Sequence, residues 1–179
     1  MTKTFSSLLT ELQACSDAKK WAGNMSATQV IKECHRGDWL LWLAKRLNMD
    51  DRKLTLAKAH CANTVRHLMK DQRSKDAVDA AIQYGLGNIT LKQLWLAKAD
   101  ADAAADADAA ADAAAYAADA AAYAAADAAA DAAADAAAYA AAYAAADAAK
   151  AKNQKKTASI CRKYIGKELL LLINQKLNA

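Results

Sequence analysis

The sequence predicts an all-α protein: a helical bundle with one long helix rich in Ala, Asp and Tyr. Three observations carry that expectation. The 179 residues include no Pro and only five Gly, so the turn chemistry that an all-β or α/β chain needs is missing. Large apolar residues recur at spacings of three and four, the period of a helix with one buried face. Finally, residues 99–149 are 37 Ala, ten Asp and four Tyr, with nothing else among them. Ala is the strongest helix former, and the tract has no Gly, Pro, Asn or Ser to open a turn.

Taken in order, Phe5, Leu8, Leu9, Leu12, Cys15 and Lys19 predict a first helix ending near Gly23 and Asn24. Ser26 followed by Gln29 has the form of a capping box and opens a second helix through Cys34. The chain then turns at Gly37 and restarts with Asp38 as N-cap. Trp39, Leu40, Trp42, Leu43 and Leu47 cover most of this third helix, which predicts deep burial. Asp50 and Asp51 open a fourth, with acids at the positive helix end and apolar positions at Leu54, Leu56, Ala57, Cys61, Val65 and Leu68. Ser74 and Asp76 start a fifth through Tyr84, closed by the run GLGN. Thr90 caps a sixth, which contains Leu91, Leu94, Trp95 and Leu96 and runs on into the Ala-rich tract.

One unbroken helix over those 51 tract residues spans about 75 Å. A hairpin is more compact but has no visible turn. Thr157 or Ser159 caps a last amphipathic helix with Ile160, Cys161, Tyr164, Ile165, Leu169, Leu172 and Ile173 on its apolar face. The larger side chains lie in 1–98 and 157–179, and Ala contributes little burial per residue, so the core is expected there. The organisation is therefore an N-terminal bundle over 1–98, a repeat helix over 99–152, and a C-terminal helix over 153–179 that packs back on the bundle.

Charge is strongly segregated. The net +4 is the sum of +7 over residues 1–98, −10 over 99–149 and +7 over 150–179. An acidic rod lies between two basic segments, which is more informative than the total. Residues Asp112, Tyr116, Asp119, Tyr123 and Asp127 form a straight stripe, because one three-residue step cancels the drift of the four-residue steps. From Asp127 to Asp147 the strict fours make the stripe wind about half a turn. Asp127, Asp131 and Asp135 put like charges at i and i+4, each pair costing an isolated helix about 0.2–0.5 kcal/mol. The tract reads either as slippage-expanded filler kept soluble by Asp, or as the acidic face of a binder. Ice binding by an Ala face fits poorly, since the regularly spaced Thr of such helices is missing here.

Other chemistries find little support. His60, Cys61, His67, Cys34, His35 and Cys15 include no Cys-x-x-Cys or His-x-x-x-His pair, so no metal site is expected. His60 and His67 stand two turns apart on one predicted helix face. No third group orients a Cys–His pair as nucleophile and base, and no glycine-rich phosphate loop occurs, so neither catalytic residues nor a cofactor are expected. Arg36, Lys45, Arg46, Arg52, Lys53, Lys58 and Arg66 read as a solvated basic face that partly neutralises the rod, and direct nucleic-acid binding is not expected. The N-terminus has no signal-peptide pattern, the longest run of large apolar residues (169–173) is too short for a bilayer, and four scattered Cys suit reduced, buried thiols. The expected location is the cytoplasm, away from membranes.

The run "ECHRGDWLLWLAKRLNMDDRKLTLAKAHCANTVRHLM" and the ending "ASICRKYI" resemble an immunity-protein family of bacterial polymorphic toxin systems, the branch usually placed fifth, which has phage-encoded relatives. The resemblance extends over most of the chain, with residues 33–68 its specific part. It implies a helical binder, encoded beside a toxin, that occludes the toxin's active site without catalysis. The expected function is thus non-catalytic binding of a protein partner, a toxin or effector of basic character. Asp119, Asp127, Asp131, Asp135, Tyr139 and Tyr143 are its expected contacts. One alternative is a phage or mobile-element counter-defence protein using the acidic helix as nucleic-acid mimic or partner trap. Another is a structural rod that forms homo-oligomers through its Ala face.

Overall fold

The computed structural model describes residues 3–69, 71–101 and 131–178, and for Leu68 and 131–147 the backbone alone. Among the described residues all regular structure is helical and no strand occurs. The helices are α1 (Phe5–Glu11), α2 (Ser16–Ala22), α3 (Ala27–Glu33), α4 (Gly37–Arg46), α5 (Asp51–Ala62), a 3-10 segment (Asn63–Leu68), α6 (Gln72–Gly85), α7 (91–101) and α8 (Asp131–Asn178).

Local chemistry explains most boundaries. Capping boxes at Thr4–Ser7 and Ser26–Gln29 open α1 and α3, and a third at Thr90–Gln93 opens α7. Asp50 accepts the Lys53 amide at the start of α5. Three helix ends share one device, with a left-handed residue bracketed by two tightening hydrogen bonds. At Gln13 (φ 61°) the bonds run from Gln13 N to Thr10 O and from Ala14 N to Leu9 O. Asn48 (φ 55°) and Gly87 (φ 85°) repeat the pattern after α4 and α6.

Several expectations need correction. The first predicted helix is two, α1 and α2, broken at Gln13. Asp38 lies inside α4, whose N-cap is Arg36, and its carboxylate is taken by the Arg36 guanidinium at 2.6 and 2.9 Å. The fourth helix leaves α geometry at Asn63, so His60 and His67 do not share an α-helical face. Asp71, not Ser74 or Asp76, caps α6, accepting from the Arg73 amide at 2.7 Å. Thr157 and Ser159 do not cap a new helix, because α8 runs unbroken from Asp131 to Asn178 and the Thr157 hydroxyl donates back to Gln154 O.

The last helix is the keel of the bundle. Its Ala158, Cys161, Ile165, Leu169 and Ile173 are buried on a 3–4 spacing, against Leu8 of α1, Ile31 of α3, Leu40 and Leu43 of α4 and Leu54 and Ala57 of α5. Trp39, Leu41 and Trp42 flank this core half-buried, shallower than the sequence predicts for α4. Helix α6 packs on α5, where Gly85 backs directly onto Leu56. Helix α7 contributes little: Leu91, Trp95 and Leu96 are 52–61% exposed, so the core does not extend to residue 98 as expected. Of the predicted rod, 99–101 and 131–149 are helical, and 102–130 lie outside the described residues.

Candidate functional site

The acidic residues singled out by sequence divide into two groups. Asp119 and Asp127 lie outside the described residues. Asp131, Asp135, Tyr139 and Tyr143 occupy the N-terminal part of α8, the same helix that is buried from Ala158 to Ile173. Between Asp131 and Asn153 that helix is about 33 Å long. Its register follows from a rotation of about 100° per residue. Position 131 stands opposite the direction in which Ala158, Cys161, Ile165, Leu169 and Ile173 are buried. Positions 135, 139 and 143 swing progressively back toward that direction, by about 40° per step.

The junction between this segment and the bundle is held by polar chemistry. Asn153 Oδ1 accepts the Thr64 hydroxyl at 2.9 Å, fastening α8 to the 3-10 segment. One turn later Thr157 meets Gly37: a Cβ on that glycine would lie 2.4 Å from Thr157 Oγ1 and 2.7 Å from its carbonyl carbon. The Arg162 guanidinium donates to Cys34 O at 2.6 Å, satisfying a carbonyl at the end of α3. Lys53 and Glu168 form an exposed ion pair across α5 and α8.

A concavity of about 270 Å³ opens beside this junction, lined by His60, Asn63, Thr64, Lys156, Lys163 and Tyr164 around Ile160. His60 stacks on the Tyr164 ring with centroids 4.2 Å apart and planes 13° from parallel. Partial burial, and then the nearby Lys163 ammonium, hold the His60 imidazolium below its ordinary range. The imidazole is therefore neutral at pH 7, and the two lysines supply the positive charge of the concavity.

Two thiols follow the lining residues His60 and Ile160 directly in sequence. Cys61 Sγ and Cys161 Sγ stand 3.9 Å apart, and both are reduced. Cys161 is fully buried, with its sulfur 3.6 Å from Gly37 O, and Cys61 is half-buried, 3.7 Å from Thr157 O. The contact between the two sulfurs favours charge on Cys61 and opposes it on Cys161, so the Cys61 thiol is lowered and the Cys161 thiol is pushed far up. Burial pushes the Cys34 thiol up as well. Cys15 is exposed, so it departs from the expectation of buried thiols.

A second, smaller feature sits under α1–α4. A cavity of about 30 Å³ between Phe5, Trp21, Val30, Trp39, Trp42 and Leu43 is lined almost wholly by apolar atoms. Trp21, His35 and Trp39 cluster at its edge, with ring centroids 5.8–6.3 Å apart, and Arg36 lies 4.7 Å over the Trp39 ring. A void that size admits one water at most, and without polar partners it stays dry. The tryptophans are packing groups here, as the sequence leads one to expect.

Of the seven basic residues named from sequence, five find hydrogen-bond or ion-pair partners inside the bundle. Arg36 pairs with Asp38, Lys45 with Asp51, Lys53 with Glu168 and Arg66 with Asp79. Arg52 donates to Tyr84 O at 2.7 Å and lies 4.5 Å over the Tyr84 ring. Sequence reasoning missed the Cys61–Cys161 approach and the His60–Tyr164 stack, each bridging α5 to α8. The one available signal was that both partners of each pair fall on or beside the apolar stripes of their helices.

Among the described residues no group of three or more His, Cys, Asp or Glu is placed to hold a metal ion, and no helix is long and apolar enough to cross a membrane. No family model, curated protein or solved structure matches the chain.

Proposed function

We propose that this protein is a non-catalytic binder of the immunity type, which neutralises a basic toxin or effector in the cytoplasm by covering it with its acidic helix. The observation that carries the reading is that acidic tract and core share one element: Asp131 and Asp135 belong to the helix buried at Cys161, Ile165 and Leu169. An anchored helix presents its charges at lower entropic cost than a tethered coil does. Ten Asp with no base over 99–149 create a potential that speeds encounter with a cationic partner and weakens with salt. The contacts assigned to that surface are Asp119, Asp127, Asp131, Asp135, Tyr139 and Tyr143, with no cofactor, metal or direct nucleic-acid contact. The resemblance of residues 33–68 to the immunity family supports the same reading.

Recovery of the partner from the native cell at low salt, followed by association kinetics against the purified partner, tests it. The quadruple variant D119N/D127N/D131N/D135N is expected to slow association at least tenfold, and added salt to slow the wild type similarly. Unchanged kinetics in the variant would overturn the acidic-face reading. A defence effector instead of a toxin as partner would move the role to counter-defence, and a stable dimer by light scattering with no foreign partner would favour the rod.

A further inference from the structure

We propose that Cys61 and Cys161 form a reversible, peroxide-driven disulfide that locks α8 to α5. Geometry carries the inference. The two residues are 100 apart in sequence, on different helices, yet their sulfurs lie 3.9 Å apart with no atom required to leave from between them. A disulfide needs about 2.0 Å. The contacts given up are weak ones, from the sulfurs to Thr157 O at 3.7 Å and Gly37 O at 3.6 Å. Access is graded as a two-step oxidation requires: Cys61 is half-buried and Cys161 fully buried.

The roles follow from that grading. Cys61 is the sulfur that meets the oxidant, and its thiolate is the favoured anion of the pair because the Cys161 thiol donates to it. The thiolate attacks one oxygen of hydrogen peroxide; an S–O bond forms, the O–O bond breaks, and hydroxide leaves and takes up a proton as water. Cys161 then attacks the Cys61 sulfur. The S–S bond forms, the S–O bond breaks, and the departing hydroxide takes the Cys161 proton as a second water. Two electrons pass from the thiols to the peroxide, and a dithiol reductant returns them. Burial protects the Cys61 sulfenic acid from further oxidation long enough for a neighbour at 3.9 Å to capture it.

The ring so closed runs from residue 61 to residue 161 and contains α6, α7 and the whole Ala/Asp/Tyr tract. Oxidation therefore closes a covalent loop that includes the acidic segment without touching an acidic residue. The inference is independent of what the tract binds.

The test uses the full chain, reduced, desalted, treated with a few equivalents of hydrogen peroxide, alkylated, and digested with trypsin without reduction. The expected product joins peptide 59–66 to peptide 157–162, two hydrogens lighter than their sum, and disappears with dithiothreitol. Oxidised protein is expected to unfold at higher denaturant than reduced protein. Cys61→Ser abolishes the joined peptide and that shift, whereas Cys15→Ser retains both. Recovery of the two peptides separately alkylated or carrying sulfinic acid, or of Cys15-linked dimers alone, would overturn the proposal.

Discussion

Gly37 and Thr157 touch backbone to side chain: the first residue of α4 leaves no room for a Cβ against the middle of α8. The obstruction is not the tip of a flexible chain. It includes the Thr157 carbonyl carbon at 2.7 Å, which moves only if the helix moves. Replacing Gly37 by Ala is expected to cost about 2 kcal/mol, within the range of core overpacking. Gly166 provides the control on the same helix. There an added Cβ meets Ile31 Cγ2 at an ordinary 3.7 Å, and Ala is expected to stabilise by about 0.5–1 kcal/mol through helix propensity. Urea unfolding of both variants checks the pair; similar effects at the two positions would contradict the packing described.

Large apolar side chains on this chain are not equivalent. Leu169 is fully buried between α8 and the bundle, so Leu169→Ala is expected to cost about 3 kcal/mol. Trp95 is 61% exposed on α7, and Trp95→Ala is expected to change stability by no more than about 0.5 kcal/mol. Thermal unfolding of the two variants gives the comparison directly.

Partial burial of His60, and then the nearby Lys163 charge, make stability depend on pH. The folded state holds the His60 proton more weakly than the unfolded state does, so the unfolded chain binds more protons as pH falls through about 6.5. Stability from this group is complete above that pH and declines below it, until the folded imidazole is itself protonated. The melting temperature is expected to fall between pH 7.5 and 5.5. His60→Phe, which retains a ring against Tyr164, is expected to flatten that part of the curve.

Arg66 ties the 3-10 segment to α6 through both Asp79 oxygens at 2.7 Å and through Lys75 O at 2.8 Å. The Asp79 side chain is 55% exposed, so water screens the ion pair and the carbonyl bond matters more. Arg66→Met is expected to lose about 1 kcal/mol, and Asp79→Asn less than half of that. Hydrogen exchange across 63–68 is expected to speed up in Arg66→Met and hardly at all in Asp79→Asn.

Helix existence was legible because periodicity and capping act locally. Ser26–Gln29 caps as its spacing predicts, and Thr90 caps as expected, with Gln93 completing a box that was not read from the sequence. Gly87 carries the left-handed turn that GLGN announces. Gln13 adopts the same conformation with no residue preference to announce it, and the break between α1 and α2 was therefore invisible. The reverse error occurred at Thr157, where a good capping residue is overridden because the preceding Ala and Lys residues already continue the helix. The apolar stripe of α7 looked like core and is exposed, since a stripe records what a helix is able to bury, not whether a partner arrives. Contacts across α5 and α8 were out of reach, because no spacing rule relates residues 61 and 161.

The unbroken run of α8 through residues 131–157 gives insertions and deletions an angular meaning. With no loop to absorb a length change, each Ala gained or lost between residue 131 and the Thr157 contact turns the part of α8 upstream of it by about 100° and shifts it by about 1.5 Å. A slip of one four-residue unit re-aims the upstream acids of α8 by about 40°, a change of seven or eleven residues leaves them within about 20°, and one of about eighteen, five full turns, restores their bearing. In this protein a copying error in the repeat behaves less like a longer tether than like a turn of a crank.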